Sequence, residues 1–172
     1  MIHKEPINDF YIYEVTFGQQ LVSAANALLI PAVITFFLAG LFLPNHPEIL
    51  FIWLPFIIPI LPIYFNYLKE DNEKTVKINY MQKLLIVSQY NQTIKVTFED
   101  IDSIKIVCPI FNKWIYPWIN FKYARFNFKS GGYFIITRFI LNFDEELFTL
   151  IKNVKKEDRY YPVIREKGKV LL

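Results

Sequence analysis

The first 68 residues contain two long stretches without a charged side chain, residues 15–47 and residues 49–68. As a helix, about 20 apolar residues cross the hydrocarbon core of a bilayer, because each residue rises 1.5 Å. Residues 44–48, where the two stretches meet, form a turn too short to hold a domain. The sequence therefore predicts a transmembrane helical hairpin over residues 19–68, preceded by an interfacial segment over residues 1–18.

The placement of basic residues predicts how this hairpin is oriented. Its turn carries no Lys or Arg, whereas Lys4 precedes the first span and Lys69 follows the second. Cytoplasmic loops of membrane proteins carry an excess of these residues. We therefore expect a multi-pass protein of the inner or plasma membrane with both termini in the cytoplasm. A cleaved signal peptide is disfavoured because no basic segment precedes the first span.

Prolines interrupt both predicted spans, at Pro31 in the first and at Pro55, Pro59 and Pro62 in the second. A proline inside a helix removes a backbone donor and clashes with the preceding turn, so these four residues are candidate helix kinks. The kinks form a hinge or docking surface, or else they are static and pack within the hairpin. Asn66 in the second span is expected to hydrogen-bond with a neighbour, because an amide in or near a membrane prefers a partner.

After the second span, from residue 69, the pattern changes to an alternation of apolar and polar residues. Segments such as Thr75–Asn79, Thr93–Phe98 and Tyr133–Arg138 are rich in β-branched and aromatic residues, and turn residues separate the segments. This pattern is typical of an antiparallel meander of strands. The sequence predicts a β domain over residues 69–156.

An amphipathic helix is predicted to close the β domain. A helix is predicted over Phe143–Lys152, because apolar residues recur at helical spacing from Phe143 to Val154 (Phe143, Leu147, Leu150, Ile151 and Val154). Asn142 followed by Glu145 fits a capped helix start, and basic residues gather at the far end, where the helix dipole favours them. The tail, residues 157–172, is interpreted either as loosely ordered or as a segment that binds a partner as a strand (Tyr160–Ile164).

The residue types that carry catalysis and metal binding are sparse. The histidines are His3 and His46, and the one cysteine is Cys108. No recognised spacing of metal ligands can be assembled from them, and Gly131-Gly132 is a hairpin turn with no helix behind it to bind phosphate. We expect no enzyme, no metal and no cofactor. The net charge of +3 is scattered, so nucleic-acid binding is not expected either.

One segment, PIFNKWIYPWINFKY at residues 109–123, concentrates aromatic rings beside lysines. Amphipathic rings and ammonium groups suit a membrane interface or the surface of a membrane partner. The candidate contact residues are Lys113, Trp114, Tyr116, Trp118 and Lys122. The alternative is that about half of these rings fill the core of the β domain.

The order of these elements resembles a known family. Two spans are followed by KINYMQKLLIVSQYNQTIKVTFEDIDSIKIV (77–107) and FKYARFNFKSGGYFIITRFILNFDEELFTLIK (121–152), an arrangement similar to the membrane-flanked bacterial pleckstrin-homology-like (PH-like) domains. The resemblance implies an α+β fold, in which a transmembrane hairpin precedes an antiparallel PH-like β-barrel or sheet closed by a C-terminal helix. The first strand–loop–strand lacks the basic cluster of phosphoinositide-binding relatives, so phosphoinositide recognition is not implied.

These observations lead to one functional hypothesis and one alternative. The hypothesis is a membrane-anchored, non-catalytic interaction module that recruits or organises a protein partner at the cytoplasmic membrane surface. Membrane lipid and either a protein partner or a second copy of the chain are the expected partners. The alternative is a subunit that acts within the membrane, as a transport accessory or a lipid-binding oligomer.

Overall fold

The computed structural model describes residues 3–5, 10–15, 33, 37, 58–110, 120–141, 151 and 153–165. Over these residues the architecture is mostly β, with one five-stranded and one four-stranded sheet that do not close into a barrel. The elements in chain order are β1 (His3–Glu5), β2 (Phe10–Glu14), α1 (Ile60–Asp71), β3 (Thr75–Asn79), β4 (Leu84–Gln89), β5 (Gln92–Thr97), a short 3-10 helix (Phe98–Asp100), β6 (Ile101–Pro109), β7 (Tyr123–Phe128), β8 (Tyr133–Thr137) and β9 (Val154–Arg159).

The five-stranded sheet is an antiparallel meander in the order β1-β2-β3-β4-β5. Its register places Tyr13 of β2 opposite Val76 of β3, although about 60 residues separate the two strands in the chain. Tyr13 is buried and belongs to the main core. The N-terminal residues, which the sequence predicted as an interfacial segment, therefore supply two strands to the sheet, β1 and β2.

The four-stranded sheet has the order β8-β7-β6-β9. Its first three strands are antiparallel, whereas β9 runs parallel to β6, with Lys105 opposite Lys155. The predicted closing helix over Phe143–Lys152 lies almost wholly outside the described residues. Val154–Arg159 is a strand, although the sequence placed Val154 on the apolar stripe of that helix.

Two clusters of buried side chains hold these elements together. The first joins both sheets and contains Phe126 and Phe134, whose rings stack with centroids 4.6 Å apart. The second joins α1 to the four-stranded sheet through Ile63 and Tyr67, which pack with Phe121 and its neighbours. The position of α1 on the molecule is set by this second cluster.

The fold predicted from the sequence is wrong in its N-terminal half. Among the described residues, no helix is long and apolar enough to cross a membrane. The predicted transmembrane hairpin is therefore wrong for these residues, and so is the predicted multi-pass location in the inner membrane with both termini cytoplasmic. Most of the first span and the start of the second lie outside the described residues. Within the first span, Val33 and Phe37 are described, and both are helical and exposed.

The end of the predicted second span shows why its apolar pattern wrongly predicted a membrane span. This part of the chain forms α1, whose 12 residues span about 18 Å, short of the roughly 30 Å hydrocarbon core of a bilayer. The helix continues past the apolar run through Lys69 and ends at Asp71. One face is buried against protein, and exposed Phe65 lies on the other. Apolar content alone does not distinguish such a helix from a membrane span.

Candidate partner-binding groove

An open groove of about 530 Å³ lies where the parallel strands β6 and β9 end. The backbone amide of Ile110, just after β6, donates a hydrogen bond of 2.8 Å to the carbonyl of Arg159, the last residue of β9. This bond extends the pairing of the two strands to the groove itself. The groove is lined by Ile110, Asp158, Arg159, Tyr160, Tyr161 and Arg165.

The guanidinium of Arg159 is held in place by its neighbours. Its Nε donates to Glu157 Oε1 at 2.7 Å, and Nη1 donates to the Tyr123 hydroxyl at 3.0 Å. Glu157 also forms an ion pair with Lys105 across the two parallel strands. Hydrogen bonds from Lys105, and then from Arg159, hold the pKa of the Glu157 carboxyl below its usual range. The local network thus fixes a cation at the groove.

The remaining groove residues are exposed and of mixed character. Tyr160 is 61% exposed, Tyr161 is 46% exposed, and Ile110 is also exposed. Arg165 adds a second cation and Asp158 an anion. Tyrosine and arginine are enriched at the energetic centres of protein interfaces. The arrangement can therefore receive apolar or aromatic side chains together with a carboxylate.

The aromatic segment singled out from the sequence emerges from this groove. Ile110 lines the groove, and residues 111–119 follow it directly. The predicted contacts Lys113, Trp114, Tyr116 and Trp118 lie outside the described residues. Lys122 is half-buried, and its backbone carbonyl accepts a hydrogen bond from Arg138.

The far end of the aromatic segment belongs to the core. Phe121 and Tyr123 are buried in the second cluster, beside Tyr67 of α1. The alternative that some of these rings fill the core is therefore correct for Phe121 and Tyr123. The two ends of the segment are anchored, one at the groove and the other in the core.

The prolines predicted as helix kinks fall in two groups. Pro59 is the N-cap residue of α1, and Pro62 lies in its first turn. A proline is tolerated there because the first backbone amides of a helix have no partner within it. Both residues start the described helix and do not interrupt its middle. Pro31 and Pro55 lie outside the described residues.

Sequence reasoning did not find how the tail is attached to α1. The Asn66 carboxamide bonds to both backbone groups of Ile164, and the Tyr67 hydroxyl donates to the carbonyl of Pro162. A polar residue in an apolar run signals that Asn66 needs a partner, but it does not indicate which one. These bonds hold the segment that carries Tyr161 and Arg165 at the groove.

A buried polar cluster lies at the C-terminal end of α1. Lys74 Nζ donates to Glu70 Oε1 at 2.9 Å and to the carbonyl of Ile135 at 2.8 Å. Thr137 donates to the carboxylate of Asp71. These contacts tie α1 to β8, and the cluster has a structural role in the position of the helix.

In the described part of the chain, no cluster of candidate metal ligands lies beside the groove. No three His, Cys, Asp or Glu residues there lie together as metal ligands would. The thiol of Cys108 is partly buried and packs against the first core cluster.

Comparison with known proteins assigns the fold to a family. No curated protein and no solved structure matches the chain. The model of the PH domain family matches residues 12–147, more than half of the chain. The match begins within β2 and extends beyond β8, so it includes part of β2 and all of the strands from β3 to β8. The chain belongs to the PH domain family.

Proposed function

We propose that this protein is a non-catalytic interaction module that recruits or organises a protein partner. PH domains are in general modules that bind lipids or proteins, and they are not typically catalytic. The partner lies in the groove at the ends of β6 and β9 and against the aromatic segment that follows Ile110. The contacts from that segment are Lys113, Trp114, Tyr116, Trp118 and Lys122.

One observation carries this proposal: the exposed residues Tyr160 and Tyr161 line the groove together with Arg159, whose guanidinium is fixed. The tryptophan-rich segment 111–119 follows Ile110, which lines the same groove. Tyr, Trp and Arg together are the residue types that dominate binding energy at protein interfaces. Their aromatic bodies supply contact area, and the polar tips of Tyr and Arg supply directional bonds.

The charges at the groove favour a protein over an anionic lipid surface. Asp158 lines the groove, and Glu157 lies directly behind Arg159. A lipid headgroup layer would bring phosphate against both carboxylates, whereas a protein surface can place a cation opposite Asp158 and a carboxylate opposite Arg165. Mixed charge around an aromatic centre is the usual composition of a protein interface.

Site-specific photo-crosslinking of the full chain in cells tests the proposal. The variant Tyr160→p-benzoylphenylalanine places the crosslinker in the groove. The matched control is Tyr90→p-benzoylphenylalanine, since Tyr90 is also exposed but lies in the turn between β4 and β5. We expect mass spectrometry to identify a discrete protein adduct at position 160 that is missing at position 90.

A second pair of substitutions connects the adduct to the aromatic segment. Trp114→Ala and Trp118→Ala should each reduce the yield of the adduct at position 160 several-fold, because interface tryptophans cost about 2 kcal/mol or more when truncated. Adducts that are identical at positions 160 and 90, or adducts with lipid alone, contradict a protein partner at this groove.

A further inference from the structure

The C-terminal segment Tyr161–Arg165 is bound to α1 as an extended peptide is bound by a receptor. Asn66 Nδ2 donates to the carbonyl oxygen of Ile164 at 3.0 Å, and Asn66 Oδ1 accepts from the amide of Ile164 at 2.7 Å. One side-chain amide thus satisfies both backbone groups of one residue. Bonds of this kind recognise the backbone and place no demand on the side chain of the bound residue.

A third hydrogen bond sets the register of the segment. The hydroxyl of Tyr67 donates to the carbonyl of Pro162 at 2.9 Å, in a buried position. Asn66 and Tyr67 are adjacent on α1, and the residues whose backbone they bind are two apart in the segment. Backbone bonds with pockets for alternate side chains are the mode by which extended peptides are recognised.

The two pockets are filled by Pro162 and Ile164. Both side chains are buried, while Val163 between them is half-buried and the flanking Tyr161 and Arg165 are exposed. Ile164 joins the second core cluster, in contact with the buried face of α1. The required pattern is therefore an apolar residue at alternate positions, with proline at the first.

The segment is attached to α1 by backbone bonds and by apolar contacts. Its backbone bonds to the side chains of Asn66 and Tyr67, and the Val163 amide donates to the Tyr161 carbonyl. Pro162 and Ile164 are buried, and Ile164 belongs to the second core cluster. An occupant that displaces the tail must therefore replace these apolar contacts as well as the backbone bonds.

We propose that this face of α1 is a peptide-docking site, which takes an extended Pro-x-Ile-like segment of a partner protein in place of the chain's own tail. The tail shows the chemistry of the occupant, because its seat recognises backbone groups and two apolar side chains. Displacement of the tail removes Tyr161 and Arg165 from the groove, so docking here changes the groove. The proposal stands on the contacts of Asn66 and Tyr67 and does not depend on the proposed function.

Peptide exchange into the folded full chain tests this proposal. A site-specific protease sequence is inserted between Tyr160 and Tyr161, and the chain is cut after folding. The probe is a fluorescein-labelled peptide of residues 161–172, whose binding is followed by fluorescence anisotropy. We expect saturable binding to the cut chain, and at least about tenfold weaker binding to the uncut chain, because its own tail competes.

Matched variants show that the seat on α1 is responsible. Asn66→Leu in the cut chain should weaken peptide binding at least about tenfold, since both backbone groups of the bound residue lose their partner. Asn72→Leu, an exposed position just after the same helix, should leave binding unchanged. A probe peptide that carries Ile164→Asp should not bind.

A measurement on the uncut chain covers the case in which cutting unfolds the protein. Hydrogen exchange at the Ile164 amide should accelerate several-fold in excess unlabelled peptide, because the peptide displaces the tail. Unchanged exchange, together with no binding to a folded cut chain, overturns the proposal. A dimer held by exchanged tails that takes up no free peptide also overturns it, because the occupant is then a second copy.

Discussion

The hydroxyl of Thr137 donates a hydrogen bond to Oδ2 of Asp71 in the protein interior and so joins β8 to the C-terminal end of α1. Asp71 is only 3% exposed, and its Oδ1 has no hydrogen-bond partner among the described residues. Lys74 Nζ lies 3.7 Å from that oxygen. Burial nevertheless outweighs the charge of Lys74 and raises the pKa of the Asp71 carboxyl to about 7.

This raised pKa predicts how stability depends on pH. The folded state holds the Asp71 proton more tightly than the unfolded chain, in which the pKa is near its ordinary value of 3.8. The stabilisation is therefore complete below about pH 4 and is lost as the pH rises through about 7. The free energy of unfolding should fall by at most about 1.4 kcal/mol per pH unit within this window.

Urea denaturation at several pH values measures this slope. Asp71→Asn should flatten it between pH 4 and 7, because the amide has no proton to lose and its oxygen still accepts from Thr137. Glu99→Gln is the control, since Glu99 is exposed, and it should retain the slope of the natural chain. An equal slope in the Asp71→Asn variant would show that the pH dependence arises elsewhere.

Lys74 is predicted to be the most sensitive charged position in the described chain. Its side chain is 1% exposed and donates to Glu70 and to the carbonyl of Ile135. Lys74→Met should lower the free energy of unfolding by about 3–5 kcal/mol, because it leaves buried acceptors without a partner. Lys95→Met, on exposed β5, should change it by less than about 0.5 kcal/mol.

A double-mutant cycle measures the interaction energy between Asp71 and Lys74 separately from their contacts with other residues. Asp71→Asn combined with Lys74→Met should cost less than the sum of the single substitutions, since removing both charges leaves no isolated ion in the interior. Strict additivity in chemical denaturation would contradict an interaction between Asp71 and Lys74.

The sequence predicts local strands well and long-range pairing poorly. Thr75–Asn79 is a strand with the bounds that its alternation predicts. In contrast, β9 was not predicted, because its pairing with β6 joins residues about 50 positions apart. Val154 at its start also continued a helical pattern. Only tertiary contacts decide whether this residue lies in a helix or in a strand.

The groove could be predicted only in part, because it depends on the long-range pairing of β6 with β9. Trp114 and Trp118 attract attention because several aromatic residues and lysines lie close together in sequence. Arg159, Tyr160 and Tyr161 reach the same place through the parallel pairing of β9, which no local pattern indicates. The charged composition of residues 157–172 is typical of a loosely ordered tail, although Asn66 and Tyr67 of α1 bind its backbone.

The hydroxyl of Tyr67 is predicted to stabilise the tail more than the core. Tyr67→Phe keeps the ring contacts with Phe121 and Phe139 but leaves the buried carbonyl of Pro162 without this donor. Limited proteolysis after Arg165 should be faster, while the unfolding midpoint falls by the equivalent of about 1–3 kcal/mol at most. Tyr90→Phe, at an exposed tyrosine in the turn between β4 and β5, is the control and should leave both measurements unchanged.

Strand β2 is predicted to be part of the cooperative domain. Tyr13 is 4% exposed in the first core cluster, and its hydroxyl lies 3.3 Å from that of Tyr80. Tyr13→Ala should lower the free energy of unfolding by about 3–5 kcal/mol, as truncation of a large core side chain does. Met81→Ala should have almost no effect, because Met81 is 83% exposed. If the N-terminal residues lay apart from the sheet, Tyr13→Ala would match the Met81→Ala control in thermal and chemical denaturation.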